Sequence, residues 1–281
     1  MIRVAIYGKG GIGKSTVCTH LSALFASEGG KKVIHVGCDP KHDSTMRLAL
    51  GEVTPPTVIG LLQKNANALR PSQFVVEGRF GVDLVECGGP EPGAGCGGRG
   101  VARMFEMFEK LRLLERGDWE VALFDVLGDV VCGGFAAPMR QGFAERAFIV
   151  TSEELMSLYA ANNVAKAIQS HAGNGVALGG VIANLRDNAG GELVIESFAE
   201  QIGTRVVAVI PRDQVVLEAE ERMMTVLEHR PEARVLDRYR ALVRAIEEFD
   251  PAAAKVPAPM DERAFNVWVA SAMRRAAVAT A

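Results

Sequence analysis

Residues 4–16 read VAIYGKGGIGKST, a short apolar run followed by a glycine-rich loop. From Gly8 to Ser15 the loop matches the pattern G-x-x-x-x-G-K-[ST] of a phosphate-binding loop, between a predicted strand and a predicted helix as this motif requires. Glycines let successive backbone N–H groups point at one anion, and the N-terminus of the following helix adds a favourable dipole. A glycine turn without a ligand is the competing interpretation, and the complete spacing argues against it. The predicted nucleotide contacts are Gly10, Gly11, Ile12, Gly13, Lys14, Ser15 and Thr16.

Three side chains of this loop have separate predicted roles. Lys14 is predicted to reach the β- and γ-phosphates, and the Ser15 hydroxyl to bind Mg²⁺. Lys9 is a second lysine in a loop where one is enough for a single nucleotide. It resembles the signature lysine of the deviant-Walker ATPases, which reaches across a homodimer to the partner's nucleotide. The alternative for Lys9 is a solvated loop charge.

Short, nearly continuous apolar runs alternate with helical patterns along the chain. Strands are predicted at 4–7, 32–36, 82–85, 121–124, 147–150, 176–182 and 205–210. Helices are predicted at 16–27, 57–68, 101–115 and 154–172. This alternation is typical of a parallel sheet covered on both faces and connected by right-handed crossovers. We therefore expect an α/β fold with a doubly wound, mostly parallel sheet and helices on both faces, of the P-loop NTPase type.

Composition and charge exclude several classes of protein. The chain has 281 residues, 48% of them hydrophobic, and 31 basic against 34 acidic side chains give a net charge of −3. This balance argues against disorder and against a basic nucleic-acid-binding surface. No apolar run approaches the ~20 residues of a membrane span, and the N-terminal run is too short for a secretory signal. Five cysteines, an odd number, make a disulfide framework improbable. We expect a cytoplasmic protein with no nucleic-acid or membrane partner.

Aspartates follow two of the predicted strands. Asp125 ends an apolar strand and is well placed for a water-mediated contact to Mg²⁺, and the nearby Gly128 can approach a γ-phosphate closely. Asp39 leaves another strand end toward the same crevice. Either Asp39 or Asp129 could orient or deprotonate the attacking water, and the sequence does not decide between them. The competing interpretation is that these aspartates cap turns and helices.

Two cysteines lie in glycine-rich settings. Cys96 lies within 93–100 and Cys132 within 129–135. Iron–sulfur clusters are held by thiolates in sets of four, so a twofold homodimer would bring two from each subunit to one [4Fe–4S] cluster on its axis. Taken alone, two cysteines 36 residues apart are weak evidence for a cluster and favour buried free thiols. That simpler interpretation fits the other cysteines, which are Cys18, Cys38 and Cys87.

Several segments together resemble the nitrogenase iron protein family. They are the phosphate-binding loop with Lys9, followed by 38–41, 88–93, 125–135, 159–163, 211–213 and 224–226. The match runs from residue 3 to about 250. The resemblance implies a homodimeric, ATP-dependent reductase with one subunit-bridging [4Fe–4S] cluster held by Cys96 and Cys132. It further implies a low-potential ferredoxin or flavodoxin as donor and a separate, heteromeric nitrogenase-like component as acceptor of the electron.

The same resemblance implies roles for individual residues. Lys9, Asp39, Lys41 and Asp129 match positions of the nucleotide-sensing switches. Positions that contact adenine or ribose are matched by Asn184, Pro211, Asp213 and Glu220. Arg99 matches a docking-surface arginine that is ADP-ribosylated in some members of the family.

Different features of the sequence favour different branches of the family. His42 stands where nitrogenases usually carry Ala, and Cys87 where they usually carry Ser. The segment from Pro257 to Met273 resembles instead the C-terminal extension of nitrogenase iron proteins, which the tetrapyrrole reductases mostly lack. A nitrogenase-like reductase of the methylthio-alkane type would reconcile these features. The alternatives are nitrogenase proper, a tetrapyrrole reductase component, and a cluster-free partitioning ATPase, which has no reason to carry both Cys96 and Cys132.

Two domains follow from these assignments. Residues 1–249 are expected to form the P-loop ATPase and iron–sulfur reductase domain, and residues 250–281 a C-terminal extension. Within the extension, 250–259 is rich in Pro and Ala and is expected to be extended, and 261–275 is predicted to form a last helix. We expect this tail to wrap a neighbouring surface, since a single short helix is marginal alone.

Overall fold

One sheet organises the protein. The computed structural model describes residues 1–51, 55–64, 69–89, 96–128, 133–140, 142–186 and 190–279, with side chains described as far as 272. In this part of the chain the sheet has eight strands, which are β1 (Ile2–Tyr7), β2 (Val33–Cys38), β3 (Val76–Glu77), β4 (Asp83–Glu86), β5 (Val121–Val126), β6 (Arg146–Thr151), β7 (Ala177–Asn184) and β8 (Val206–Ile210).

The strands follow the order β3-β4-β2-β5-β1-β6-β7-β8. All neighbouring pairs are parallel except β3 with β4. In the centre, Ile6 of β1 pairs with Asp125 of β5 on one side and with Phe148 of β6 on the other. The predicted doubly wound, mostly parallel fold is therefore confirmed. Strand β3 was not predicted, because it has only two residues, both of them exposed.

Helices cover both faces of the sheet. They are α1 (Lys14–Ser27), α2 (Val58–Lys64), α3 (Gly97–Leu111), α4 (Leu113–Arg116), α5 (Ala137–Arg140), α6 (Leu155–His171), α7 (Gly191–Gln201), α8 (Gln214–Glu221), α9 (Val226–His229), α10 (Val235–Glu248) and α11 (Glu262–Ala279). Short 3₁₀ turns occur at Pro71–Gln73, Arg79–Gly81 and Ala172–Asn174. No helix in the described part of the chain combines the length and apolar character that a membrane crossing needs.

The core consists of two apolar layers, one on each face of the sheet. Side chains alternate between the faces along each strand. In β1, Val4 and Ile6 belong to the layer formed with α1 and α10, whereas Ala5 and Tyr7 belong to the layer formed with α3, α6 and α7. The central strands are therefore buried on both sides, which explains why they read as continuous apolar runs.

The helices differ from the predictions in three places. The predicted helix 101–115 begins earlier, at Gly97, and is interrupted at Arg112, whose backbone is left-handed at φ 51°. The predicted helix 57–68 is α2, and 65–68 lie outside the described residues. Helices α5, α7, α8, α9 and α10 have no counterpart among the predicted segments.

The C-terminal segment packs on its own chain. The backbone N–H and C=O of Met260 exchange hydrogen bonds of 2.9 and 2.8 Å with the side-chain amide of Asn162 in α6. Helix α11 then places Trp268 against Phe198 of α7, with ring centroids 5.6 Å apart. The predicted last helix is thus present as α11, and it covers α6 and α7 of the same chain.

Candidate functional site

The phosphate-binding loop lies where the winding of the sheet reverses. Strand β1 has β5 on one side and β6 on the other, and ligands of open α/β sheets bind at such a point, beyond the carboxyl ends of the strands. The loop joins the end of β1 at Tyr7 to the start of α1 at Lys14. Gly13 is left-handed at φ 97°, and a Cβ on Gly8 would lie 2.3 Å from the carbonyl oxygen of Val150. Glycine is required at both positions.

A cavity of about 370 Å³ opens over this loop. Small-molecule sites occupy roughly 300–1,000 Å³, so the volume suits a nucleotide-sized ligand. The cavity brings together most of the predicted nucleotide residues, which are Gly10, Gly11, Gly13, Lys14, Ser15, Thr16, Asp39, Lys41, Asn184, Pro211, Asp213 and Glu220. Ile12 is buried beneath the loop. These residues come from the ends of separate strands, so their meeting depends on the fold.

Two side chains hold the loop from the direction of β7. The Asn184 amide donates to the carbonyl oxygen of Ile12 at 2.6 Å, and the Arg186 guanidinium donates to that of Gly11 at 2.5 Å. Both donors occupy loop carbonyls and leave loop N–H groups available for an anion. Arg186 was not predicted, because nothing in its neighbouring sequence connects it with the loop.

The two lysines of the loop lie in different surroundings. Lys14 is buried, with 7% of its surface exposed, and it lines the cavity. A buried ammonium group needs a compensating anion, which suits a phosphate ligand. Lys9 is half-buried and does not line the cavity. Its backbone nitrogen would lie 2.6 Å from a Cβ on Gly128, so the segment after β5 packs directly on the loop.

Asp125 is buried at the end of β5, with one carboxylate oxygen bonded and one open. Its Oδ2 accepts a 2.6 Å hydrogen bond from the Ser44 hydroxyl. Its Oδ1 is buried and has no hydrogen-bond partner among the described residues. Mg²⁺ takes oxygen ligands and keeps several of its waters. Asp125 pairs with Ile6, two residues before the phosphate-binding loop, so this unpartnered oxygen at the strand end fits the predicted water-mediated contact to Mg²⁺.

Asp39 lines the cavity from the loop that follows β2. Burial raises the pKa of its carboxyl above the usual value, and its Oδ1 accepts the backbone N–H of Lys41 at 2.9 Å. Lys41 itself is exposed. Asp129, the other predicted water-activating residue, lies outside the described residues.

Glu220 lines the cavity and is part of a small polar cluster beside the first turn of α1. It forms an ion pair with Arg47 and accepts a 2.6 Å hydrogen bond from the Thr16 hydroxyl. Burial alone would raise its pKa, but the Thr16 hydrogen bond and the Arg47 guanidinium together lower it. The carboxylate is thus engaged in this structure, and Arg47 is a second site residue that was not predicted.

Cys96 is exposed and precedes the first residue of α3. The helix start is packed tightly on two sides. A Cβ on Gly97 would lie 2.3 Å from Cγ of Pro40, and one on Gly134 would lie 1.8 Å from the carbonyl oxygen of Gly98. The residue next to Asp39 therefore contacts the Cys96 end of α3, and so does the segment that follows position 132. Cys132 itself lies outside the described residues.

The remaining cysteines behave as the simpler interpretation predicts. Cys18, Cys38 and Cys87 are fully buried free thiols. Burial raises the pKa of each thiol, so these groups are poor metal ligands. Among the described residues, no three His, Cys, Asp or Glu side chains gather as a metal site would require.

Two exposed arginines follow the exposed cysteine along α3. Arg99 is exposed on the first turn of α3, and its backbone N–H donates to the carbonyl oxygen of Cys96 at 3.2 Å. Arg103, one turn further, is exposed and paired with Glu106 at 2.9 Å. Arg140 at the end of α5 is exposed as well.

Comparison with known proteins identifies the family. A family model described as 4Fe-4S iron sulfur cluster binding proteins, NifH/frxC family, matches residues 2–273. The chain belongs to this family. It is 45% identical to nitrogenase iron protein 2 of Methanothermobacter thermautotrophicus over 266 residues, covering 95% of this chain and 96% of the relative. It is also 45% identical to the nitrogenase iron protein of Methanospirillum hungatei over 250 residues, covering 88% of each.

Family membership confirms the resemblance seen in the sequence and the general assignment as an ATP-dependent reductase of the NifH kind. Solved structures share the fold. The septum site-determining protein MinD of Pyrococcus horikoshii, complexed with Mg-ADP, has a TM-score of 0.66 at 20% identity, covering 88% of this chain and 97% of MinD. A ParA family ATPase of Chlorobium tepidum has a TM-score of 0.66 at 17% identity, covering 89% and 99%. The likeness to these ATPases concerns the fold alone.

Proposed function

We propose that this NifH-family protein is the ATP-dependent electron donor of a nitrogenase-like enzyme. In this proposal it is a cytoplasmic homodimer whose single [4Fe–4S] cluster is held by Cys96 and Cys132 of both subunits. The observation that supports it most strongly is the contact of Pro40 with the Cys96 end of α3, because it joins the nucleotide cavity to the cysteine surface. Such a junction is what an ATP-dependent reductase needs.

The number of available ligands supports a dimer. A [4Fe–4S] cluster takes thiolates in sets of four. Three cysteines are buried within the apolar layers, which leaves Cys96 and Cys132 in each chain. Cys96 is exposed at a helix start, where a second copy of the chain can approach. A twofold axis beside this residue would complete the set of ligands.

Nucleotide binding and hydrolysis are assigned to the residues around the cavity. The loop N–H groups and Lys14 would bind the phosphates, and the Ser15 hydroxyl and, through a water, Asp125 would hold Mg²⁺. Asp39 or Asp129 orients the attacking water, and Lys9 acts across the dimer. Asn184, Pro211, Asp213 and Glu220 bound the adenine and ribose end of the cavity.

Two tight packing contacts support a coupling between hydrolysis and the cluster. Gly128 lies so close to the loop that a Cβ there would be 1.4 Å from the carbonyl oxygen of Gly8. Pro40 is wedged against Gly97 and also against Gly89, whose Cβ would lie 2.6 Å from the proline ring. Packed elements of this kind move as units, and ordering or releasing a loop at the γ-phosphate is a known switching device. When bound, the cluster supplies one-electron transfer.

The electron acceptor is proposed to be a heteromeric nitrogenase-like component, and the donor a low-potential ferredoxin or flavodoxin. The acceptor docks at the cysteine surface, where Arg99 offers a planar guanidinium for a carboxylate. A methylthio-alkane type of reductase and nitrogenase proper are both compatible with this surface. The relatives at 45% identity are named nitrogenase iron proteins, which favours these over a tetrapyrrole reductase.

Iron analysis of anaerobically purified protein tests the proposal. We expect four iron atoms per dimer, because Cys96 and Cys132 supply the full set only in the dimer. The Cys96→Ser and Cys132→Ser variants should lose the iron while remaining folded and able to bind ATP. Cys87→Ser is the matched control and should keep it, since Cys87 is buried away from the surface. Full iron content in either of the first two variants would refute the assignment of the ligands.

A further inference from the structure

A buried line of hydrogen bonds leads from helix α1 to Asp125. The Ser22 hydroxyl lies 2.8 Å from Nδ1 of His35, and Nε2 of His35 lies 2.8 Å from the Ser44 hydroxyl. Ser44 then donates to Asp125 at 2.6 Å. None of these four side chains has more than 3% of its surface exposed. Polar groups buried this deeply are stable only when their hydrogen bonds are satisfied.

The chemistry of the groups fixes the direction of every bond in this line. A carboxylate accepts hydrogen bonds only, so the Ser44 hydroxyl hydrogen points at Asp125. The Ser44 oxygen must then accept from His35, which requires the ring hydrogen on Nε2. Nδ1 carries none and accepts from Ser22. This assignment uses one ring hydrogen, and burial, which lowers the pKa of His35 to about 4, keeps the ring in this neutral form near pH 7.

The line ends at Asp125, the carboxylate that we assign to the proposed magnesium site. Ser44 belongs to the loop that begins with the cavity residue Asp39, and its rotamer is fixed from both sides by His35 and Asp125. Engaging Oδ2 of Asp125 in this way leaves Oδ1 as the open oxygen. The orientation of the carboxylate therefore depends on the donor at Nε2 of His35.

We infer that His35 is a positioning residue, which acts through Ser44 to orient Asp125 toward nucleotide-bound Mg²⁺. The inference rests on the proposed nucleotide site and not on the cluster or the acceptor. A purely structural histidine would fill space and satisfy Ser22, and its replacement would change stability without changing metal affinity. Partners that orient metal-binding groups typically contribute 10- to 100-fold to metal affinity.

Two amide substitutions separate these roles. The side-chain nitrogen of glutamine can take the place of Nε2, so His35→Gln keeps the donor to Ser44. The side-chain nitrogen of asparagine takes the place of Nδ1 instead. His35→Asn therefore loses the donor to Ser44 but remains equally polar. The probe is Mn²⁺ in place of Mg²⁺, titrated into the protein with saturating ADP and followed by the electron paramagnetic resonance of the free ion.

We expect the Mn²⁺ dissociation constant to rise at least about 10-fold in His35→Asn and to stay within about 2-fold of wild type in His35→Gln. Ser44→Ala, which removes the last link directly, should match His35→Asn and serves if either histidine variant fails to fold. Unchanged affinity in His35→Asn or Ser44→Ala would overturn the inference, and so would equal losses in both histidine variants. Wild-type protein that binds Mn²⁺ with ADP but contains no iron would contradict the proposed function and leave this inference standing.

Discussion

Replacing Gly134 by alanine perturbs the contact that joins the two cysteine segments. An ideal Cβ on Gly134 lies 1.8 Å from the carbonyl oxygen of Gly98 and 2.2 Å from its carbonyl carbon. Real Cβ atoms essentially never approach below 3.0 Å, so the two backbones must separate by about 1.2 Å, the difference between 3.0 and 1.8 Å. Both opposing atoms belong to the backbone, so no side-chain rotation can relieve the contact. Overpacking of this kind typically costs about 1–3 kcal/mol.

The displacement falls where the proposed ligands are attached. Cys96 lies two residues before Gly98, and Cys132 lies two residues before Gly134. Separating these backbones moves the two thiols apart, and we expect Gly134→Ala to take up less than half of the wild-type iron on anaerobic reconstitution. The assay is iron and acid-labile sulfide per protein chain, with circular dichroism to verify the fold.

The neighbouring glycine provides the matched control. A Cβ on Gly133 would meet nothing within 4 Å, so Gly133→Ala should reconstitute like wild type. Full iron content in Gly134→Ala would show that the contact with Gly98 does not set the ligand geometry. Equal losses in both variants would lead to the same conclusion, because the loss would then not depend on the clash.

Three further results are expected. Lys14→Gln should weaken MgATP binding, measured by equilibrium dialysis, because it removes the buried cation. Lys9→Gln should largely preserve MgATP binding in the same assay but lose the nucleotide-dependent change at the dimer interface. Burial raises the pKa of Glu86 from 4.5 to about 8, so its protonated carboxyl stabilises the fold fully below pH 4.5, and this contribution is lost as pH rises to 8. Glu86→Gln keeps the acceptor for the Thr45 N–H. By urea unfolding, this variant should match wild type near pH 4.5 and be more stable at pH 8 by about 4 kcal/mol. Arg99→Glu should keep iron and nucleotide binding but suppress electron delivery to the acceptor, most strongly at low salt, and wild-type turnover would place docking elsewhere.

The sheet could be predicted from sequence because its central strands are buried on both faces. Strands such as β1 and β5 read as continuous apolar runs for this reason. Strand β3 lacks this signal, since both of its residues are exposed. The break at Arg112 gave no sequence signal either, because its left-handed residue is an arginine and not the glycine that usually marks the end of a helix.

The site residues that belong to a local sequence motif could be predicted. The loop from Gly8 to Thr16 follows from its spacing, and the strand-terminal Asp39 and Asp125 follow from their position after apolar runs. Arg186 and His35 were missed for the opposite reason, since they reach the site only through contacts with residues distant in sequence. Nothing in the residues next to His35 predicts that its ring would lie between Ser22 and Ser44.

The coupling between nucleotide and cluster can be measured directly by chelation of the cluster iron. Anaerobic, reduced protein is mixed with an iron(II) chelator such as 2,2′-bipyridine, and the coloured complex is followed over time with MgATP, with MgADP or without nucleotide. If Pro40 and Gly128 transmit the nucleotide state to the Cys96 surface, chelation should be much faster with MgATP than with MgADP, and Lys14→Gln should abolish this difference. Iron that is released at the same rate in all three conditions, from protein shown to bind MgATP, would contradict the coupling.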